Sequence, residues 1–250
     1  MKPLAGTPLV DVEPCSARCA RILAGREHIT LLVSPGNPYF SAARLAATFR
    51  WAARTVRRVD VLVSDLEMTA ATYLARGRPE HHAYRRARAD ISQMAARIRR
   101  ARDTAGRPDL RVSEFAEWAG TAEYRRGLAY AREAIADPAY GPLLRAGTRD
   151  ALMARMPQGW EPTPQQIDIG LVHGEKTLPF IVNAVGILGV SETVTAYSRP
   201  TPCTRYFFTD GAKYRAFPGQ GYVALRVREP DVPRTNDGAC LGTRADPPGA

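Results

Sequence analysis

Residues 28–41 read HITLLVSPGNPYFS, a short apolar run followed by a polar turn. The run from His28 to Val33 has the length and composition of a buried strand. Ser34 then stands at the carboxyl end of that strand. This is the edge at which open α/β sheets bind ligands in a crevice, and the Pro-Gly-Asn turn after Ser34 is expected to leave the serine hydroxyl facing that crevice. The alternative is an ordinary strand-to-helix loop, because Ser, Gly and Asn are common turn residues.

Beyond this segment, the pattern of apolar and polar residues predicts an alternation of strands and helices, which indicates an α/β fold with a parallel sheet. Strands are predicted over residues 59–64, 110–112, 193–197 and 221–227, and helices over 39–55, 79–106, 114–118, 121–136, 140–156 and after Thr163, whose capping-box partner is Gln166. One domain is expected over residues 15–229. Residues 1–14 and 230–250 are rich in Pro, Gly and polar residues, so both are expected to be poorly ordered tails.

The composition points to a polyanionic partner. The 250 residues are 45% hydrophobic and 24% charged, and they carry a formal net charge of +10 with a pI near 9.8. Such a charge suits nucleic acid, with a membrane surface as the competing partner. The chain starts with no charged-then-apolar signal segment, and its longest apolar run, residues 178–190, is short of the roughly 18 residues that span a bilayer. The expectation is a cytoplasmic protein without membrane association.

The cysteines indicate neither a disulfide framework nor a metal site. The sequence holds four, Cys15, Cys19, Cys203 and Cys240, which are few and scattered. The single Cys15-x-x-x-Cys19 pair lacks the further ligands that zinc requires. No metal is therefore expected.

A long helix predicted between Pro79 and Gly106 carries most of the basic charge. Its buried face is predicted to hold Ala83, Ala87, Ile91, Met94, Ile98 and Ala101, at three- and four-residue steps. Its outward side is predicted to hold Arg86, Arg97 and Arg100, with Arg99 and Arg102 flanking them. Only Glu80, Asp90 and Asp103 interrupt the run. This stripe suits successive phosphates of an RNA backbone, and a merely solvated helix face is the alternative.

The motif VSPGNPYFS at residues 33–41 resembles the nucleophile segment of the tRNA-dependent cyclodipeptide synthases, which carry an S-x-G-N-x-Y-F-S signature. Further similar segments follow in the family's order: a second strand at 59–65, a basic tRNA-holding helix at 97–100, a pocket segment at 121–125, a catalytic strand ending at Tyr197, and a closing signature at 219–223. The resemblance implies a Rossmann-like domain akin to the catalytic domain of class I aminoacyl-tRNA synthetases.

The same resemblance implies a chemistry that uses neither ATP nor a metal, so no cofactor is expected. Ser34 would attack the ester of an aminoacyl-tRNA to form an aminoacyl-enzyme, and reaction with a second aminoacyl-tRNA would give a dipeptidyl-enzyme that closes into a diketopiperazine. Gly36 lets backbone approach the reacting carbonyl, and Asn37 orients that carbonyl or the substrate amine. Tyr197 relays protons, unless it is only a packed strand tyrosine. Tyr124 belongs to the pocket segment at 121–125 and is expected to bind substrate. The protein is expected to be a monomer.

The sequence departs from the family where the substrate's α-amino group is held. The family's Tyr, and its Glu four residues later, fall on His173 and Thr177 when the alignment is anchored at residues 178–180. His173 titrates near neutral pH and could act as a base, or it is an ordinary helix histidine. Glu175 is near in sequence, but two residues along a helix point in roughly opposite directions.

Three functions remain open from the sequence. The first is a cyclodipeptide synthase with an altered amine pocket, favoured by the joint presence of Ser34, Asn37 and Tyr197. The second is a non-cyclising aminoacyltransferase that makes a linear amide, favoured by the missing carboxylate. The third is a catalytically idle tRNA-binding homologue, which the intact nucleophile turn argues against.

Overall fold

The structure is a computed structural model that describes residues 9–228. Within them, six strands form one sheet: β1 (Leu9–Pro14), β2 (His28–Val33), β3 (Arg58–Val63), β4 (Arg111–Glu114), β5 (Thr193–Tyr197) and β6 (Gln220–Arg228). Their order across the sheet is β1-β6-β5-β2-β3-β4, with every neighbouring pair parallel except β1 and β6.

Helices connect the strands and cover both faces of the sheet. They are α1 (Ala17–Ala24), α2 (Ala42–Thr55), α3 (Leu66–Leu74), α4 (Glu80–Ala105), α5 (Ala122–Ala136), α6 (Gly141–Met153), α7 (Pro164–Val182), α8 (Ala184–Leu188) and α9 (Pro202–Tyr206), with a 3-10 turn at Phe115–Trp118. The predicted α/β class is confirmed. None of the helices within residues 9–228 has both the length and the apolarity needed to cross a bilayer.

Local signals in the sequence begin and end these helices. The side chains of Ser41 and Asp65 accept from the third backbone N–H of α2 and α3, which satisfies donors that a helix start otherwise leaves free. Thr163 and Gln166 form the predicted capping box at the start of α7. Gly106 ends α4 with a φ of +64°, a left-handed conformation in which glycine avoids the Cβ penalty.

β2 is the central strand of the parallel part of the sheet. It pairs with β3 on one side and β5 on the other, so that Ile29 stands beside both Val59 and Val194. All six of its residues are buried, as a parallel strand covered on both faces requires. Because parallel strands end at one common edge, the residues that follow β2, β3 and β5 come together there.

Alternate side chains of β2 pack into two hydrophobic cores, one on each face of the sheet. Leu31 and Val33 pack with residues of α2 and α4 on one face, whereas Leu32 packs with residues of α5 and α7 on the other. The two helix pairs therefore lie on opposite sides of the sheet. The turn at residues 34–41 is fixed at both ends, because β2 precedes it and α2 follows it.

The amino-terminal tail expected over residues 1–14 is wrong for residues 9–14. These residues form β1, which pairs antiparallel with β6, so the sheet has one antiparallel edge strand and the domain starts before residue 15. Val10 and Val12 pack against the core, while Asp11 pairs with Arg228 and Glu13 with Arg226 across the strands. This alternation is typical of an edge strand, but Pro8 and Pro14 obscure it in the sequence. Residues 1–8 and 229–250 lie outside the described residues, and the carboxyl-terminal tail predicted over 230–250 lies there.

A buried polar network ties β2, β3 and β5 together near their amino ends. His28 bonds to Thr193 Oγ1 through Nδ1 and to Asp60 Oδ2 through Nε2, each over 2.7 Å, and Arg58 donates to Asp60 Oδ2 over 3.0 Å. Burial of Asp60 by itself raises the pKa of its carboxyl, but the hydrogen bond and the charge of His28, together with Arg58, outweigh burial and lower that pKa.

Asp60→Asn is expected to reduce the free energy of unfolding at pH 7 by about 3 kcal/mol, because His28 and Arg58 lose the buried negative charge that they contact. Since folding lowers the pKa of Asp60, the stability it contributes is present above the unfolded-state pKa of about 4 and is lost as the pH falls through the lower folded-state pKa. The difference between the variant and the wild type should therefore shrink at about pH 3, as measured by urea unfolding.

The matched control is Asp11→Asn, which breaks a solvent-exposed cross-strand ion pair and should cost less than about 1 kcal/mol. An equal loss for Asp60→Asn at both pH values would show that the carboxylate charge of Asp60 does not stabilise the fold.

Candidate active site

Three polar side chains meet at the carboxyl edge of β2 and β5. Ser34 follows β2 directly, and its Oγ lies 3.2 Å from the hydroxyl oxygen of Tyr197, the last residue of β5. Asn37 Nδ2 donates to the same oxygen over 3.2 Å. The structure thus brings the three residues proposed as catalytic into one hydrogen-bonded chain.

The amide of Asn37 has one orientation that satisfies its neighbours. The backbone N–H of Tyr39 donates to Asn37 Oδ1 over 3.0 Å. Since that N–H needs an acceptor, the amide oxygen faces Tyr39 and the NH₂ group faces Tyr197. Tyr197 accepts from Asn37 and keeps its own proton for sharing with Ser34 Oγ, and either hydroxyl of that pair can act as the donor.

The aromatic residues after the turn fix it to the sheet. The Tyr39 hydroxyl donates to Leu225 O over 2.9 Å and accepts from the Val227 N–H over 3.1 Å, so it is tied to β6 on both counts. The ring of Phe40 lies against that of Tyr197, with 5.6 Å between the ring centroids. The turn that follows Ser34 is therefore held by strand β6 as well as by β5.

Gly36 packs directly against a buried carboxylate of α4. Its φ is +72°, and a Cβ added there would lie 2.4 Å from Asp90 Oδ2. Asp90 is 2% exposed; it accepts from the hydroxyl of Tyr73 and forms an ion pair with Arg86, whose Nε lies 3.3 Å from Oδ1. Glycine is thus required at this position both by its backbone conformation and by the proximity of Asp90.

Tyr124, predicted to line the pocket, is buried between α5 and α7. Its hydroxyl donates to the backbone carbonyl of Lys176 over 3.1 Å, and its ring lies 5.8 Å from that of Phe180. Burial, with a smaller effect of Asp65 and other carboxylates, raises the pKa of Tyr124 to about 12. The phenol therefore stays protonated at neutral pH, and its hydrogen bond holds the two helices together.

The three residues of α7 that were considered for binding the substrate amine form hydrogen bonds with other groups. His173 Nδ1 donates to Met68 O over 3.4 Å, and burial lowers the pKa of its imidazole, which favours the neutral form. The Thr177 hydroxyl donates to His173 O over 2.7 Å within its own helix. Glu175 accepts from Arg132 of α5 over 2.6 Å. No hydrogen bond joins any of the three to Ser34, Asn37 or Tyr197 in the described residues.

The arrangement of these elements matches a known family. A sequence profile of the cyclodipeptide synthases matches residues 10–227. The chain belongs to the cyclodipeptide synthase family. Among curated proteins, it is 26% identical to the cyclo(L-leucyl-L-phenylalanyl) synthase of Streptomyces noursei over 206 residues, which are 81% of this chain and 86% of that protein.

Two solved structures extend this comparison. The structure of a Mycobacterium tuberculosis protein, described as demonstrating that cyclodipeptide synthetases are related to type I tRNA synthetases, has a TM-score of 0.77 at 23% identity and covers 91% of this chain and 99% of its own. A cyclodipeptide synthase from Candidatus Glomeribacter gigasporarum, bound to Phe-tRNAPhe, has a TM-score of 0.52 at 12% identity and covers 88% of this chain and 93% of its own. The predicted family and fold are confirmed.

In this member of the cyclodipeptide synthase family, only part of the predicted arginine stripe faces solvent freely. Arg99 and Arg100 are exposed, and Arg86 is exposed but paired with Asp90. Arg97 and Arg102 are both half-buried, so the outward placement predicted for Arg97 is wrong, whereas Arg102 was predicted only to flank the stripe. Arg97 lies three residues after buried Met94, at the edge of the face that packs near α2, and its Nη1 is 3.5 Å from Phe40 O.

Tyr73 is not among the residues predicted for the site, and Asp90 was predicted only as an interruption of the basic run. Asp90 lies three residues after Ala87 and four before Met94, so helical spacing already assigned it to the buried face. A lone carboxylate in an apolar stripe was the available signal. The partners of Asp90 could not be predicted from the sequence, because Tyr73 belongs to another helix and Gly36 to a loop.

Gly36→Ala is expected to cost more free energy of unfolding than Gly106→Ala. Both glycines have positive φ, but a Cβ at Gly106 meets no atom within 4 Å, whereas one at Gly36 collides with Asp90. The control should lose about 1 kcal/mol for the backbone conformation alone, and Gly36→Ala about 1–3 kcal/mol more for the displaced turn. Chemical unfolding of both variants measures the difference, and equal losses would show that Asp90 does not constrain the turn.

Proposed function

We propose that the protein is an aminoacyl-tRNA-dependent cyclodipeptide synthase that works by ping-pong chemistry through an aminoacyl ester on Ser34. The observation that carries the proposal is the chain of hydrogen bonds from Asn37 through Tyr197 to Ser34 Oγ at the carboxyl edge of the sheet. Family membership supports it. The relative bound to Phe-tRNAPhe and the basic charge of this chain support aminoacyl-tRNA as the partner.

In the first step, Ser34 Oγ attacks the carbonyl carbon of an aminoacyl-tRNA. A new ester forms on Ser34, the bond to the terminal ribose oxygen breaks, and that oxygen leaves with the serine proton. An ester is already activated, so a strong side-chain base is not required. The positive φ of Gly36 lets the turn that follows Ser34 pack, without a side chain, against Asp90 of α4.

In the second step, the amine of the Ser34-bound aminoacyl group attacks the ester carbon of a second aminoacyl-tRNA. An amide bond forms, the bond to the terminal ribose oxygen breaks, and that tRNA leaves with the amine proton. This direction follows from the atoms, because attack by the second substrate's amine on the seryl ester would free Ser34 and leave the dipeptide on tRNA. The product is a dipeptidyl ester on Ser34. Its terminal amine then attacks the seryl carbonyl, the ring closes, and Tyr197 can return a proton to Ser34 Oγ through their hydrogen bond.

A second candidate function is transfer of one aminoacyl group to another amine, giving a linear amide. The state of the altered positions favours it, since the Thr177 hydroxyl is bonded within its helix and the Glu175 carboxylate is bonded to Arg132. Thr177 has no negative charge to offer an ammonium group, and the charge of Glu175 is compensated by Arg132. His173, Glu175 and Thr177 therefore stay proposed substrate-binding residues with no assigned partner, and Tyr124 a proposed wall of the pocket. The cytoplasmic location and the monomeric state stay predictions.

Incubation of the purified protein with a mixture of charged tRNAs should yield diketopiperazines detectable by mass spectrometry. Ser34→Ala should remove both the product and the aminoacyl-enzyme seen by intact-protein mass, with a loss of about a thousandfold or more. Ser198→Ala, the same change one residue after Tyr197, is the control and should keep both signals. Linear amides as the main product would select the second candidate, and tRNA binding without acylation of Ser34 would select an idle homologue.

Replacing Arg99 and Arg100 by Glu should weaken tRNA binding by about tenfold or more, because both guanidinium groups are exposed and free to contact phosphates. Replacement of both by Lys should retain most of the binding. Arg97 is left unchanged because it contacts the nucleophile turn. The control is Arg21→Glu in the last turn of α1, an exposed arginine that precedes β2 at the amino edge of the sheet. Binding is measured by fluorescence anisotropy, and equal effects at both sites would remove the stripe from the interface.

A further inference from the structure

A second basic site lies where α3 passes into α4. A cavity of about 210 Å³ is lined there by Tyr73, Arg76, Gly77, Arg78, Arg155 and Met156. Arg155 approaches from the segment after α6, so two separate parts of the chain contribute guanidinium groups. The space is large compared with the roughly 30 Å³ that one water takes in the liquid, so a small polar group fits.

The three arginines of this cavity are not balanced by carboxylates. No Asp or Glu oxygen of residues 9–228 lies within 4 Å of the guanidinium nitrogens of Arg76, Arg78 or Arg155. By contrast, the neighbouring arginines of α6 are both paired, Arg145 with Asp168 and Arg149 with Glu161. The cavity thus lacks acidic partners selectively, since carboxylates neutralise the arginines six and ten residues before Arg155.

Arg76 is held in a fixed position, as a built site requires. Its Nε donates to Thr72 O over 2.7 Å, and its guanidinium stacks on the ring of Tyr73 at 4.5 Å from the centroid. Burial lowers the pKa of Arg76, and the charges of Arg155 and Arg78 lower it further. Three like charges so placed repel one another, and an anion between them removes that cost.

The cavity adjoins the nucleophile turn through one side chain. Tyr73 forms part of its wall, and the hydroxyl of the same tyrosine donates to Asp90, which packs on Gly36. Arg155 also lies close enough to His173 for its charge to lower the pKa of that imidazole. Arg99 is about 30 Å farther along α4, at 1.5 Å per residue, so the cavity is distinct from the exposed stripe.

We propose that the cavity formed by Arg76, Arg78 and Arg155 is a phosphate-binding site that takes a phosphodiester near the acylated end of tRNA while the ester reaches Ser34. The planar, bidentate guanidinium groups match phosphate oxygens. The assignment to tRNA rests on the proposed function, whereas the affinity for a phosphate group rests on the cavity alone.

The test uses the full chain with Arg78→Gln and Arg155→Gln combined, since both side chains are exposed and unpaired and their loss leaves the fold intact. Uncharged tRNA is titrated by fluorescence anisotropy at several salt concentrations. The double variant should bind at least about tenfold more weakly, and the slope of log K against log salt should fall by about 1 for one lost phosphate contact. Arg21→Gln, at an exposed position in the last turn of α1, is the matched control, and Arg155→Glu alone should show the same direction of change.

Inorganic phosphate, followed by calorimetry, separates the possible sources of the anion. The wild type should bind it saturably and the double variant should not. If phosphate binding is lost but the affinity and salt slope for tRNA do not change, the site serves a free phosphate compound and the assignment to tRNA is overturned. If neither ligand distinguishes the double variant from Arg21→Gln, the whole proposal is overturned.

Ser34→Ala separates this site from the proposed function. It should bind tRNA and phosphate as the wild type does, because the anion site does not depend on acylation. A protein that never acylates Ser34 but loses tRNA affinity in the double variant would refute the proposed chemistry and support the phosphate site.

Discussion

Parallel pairing of β2 with both β3 and β5 is the constraint on which the rest of the structure depends. It forces the residues after these strands to one edge, which brings Ser34 within hydrogen-bonding distance of Tyr197 although 163 positions separate them in the chain. The central position of β2 also explains its apolar sequence, because helices cover both faces of the strand. One register of three strands thus sets the core and the candidate site together.

Much of this arrangement could be predicted because it depends on local signals. An apolar run, a Pro-Gly-Asn turn and a strand ending at Tyr197 are each visible within a few residues, and the common edge of a parallel sheet joins them. The capping box at Thr163 is equally local. Predictions failed where a residue's role depends on a distant partner. β1 is stabilised by β6 at the other end of the domain, and Arg97 lies inward because the turn at Phe40 is close to it.

The charge pattern around the site differs from what composition alone suggested. A net charge of +10 indicated a general attraction for polyanions, but the structure divides it into exposed Arg99 and Arg100, an Arg86 neutralised by Asp90, and an unpaired group at the α3–α4 junction. The altered family positions add no free carboxylate beside Ser34. At the two positions predicted to hold the substrate amine, this chain has His173, whose pKa is lowered by burial, and Thr177, whose hydroxyl is bonded to its own helix.

The orientation of Asn37 has a consequence for the chemical lifetime of the site. Asparagine side chains deamidate when the backbone nitrogen of the next residue attacks the amide carbon and forms a cyclic imide. Here the next residue is Pro38, whose ring nitrogen carries no hydrogen and cannot form that imide. Conversion to Asp would replace the NH₂ donor facing Tyr197 with an acceptor and reverse the hydrogen bond. The proline that shapes the turn therefore also protects the amide from ageing.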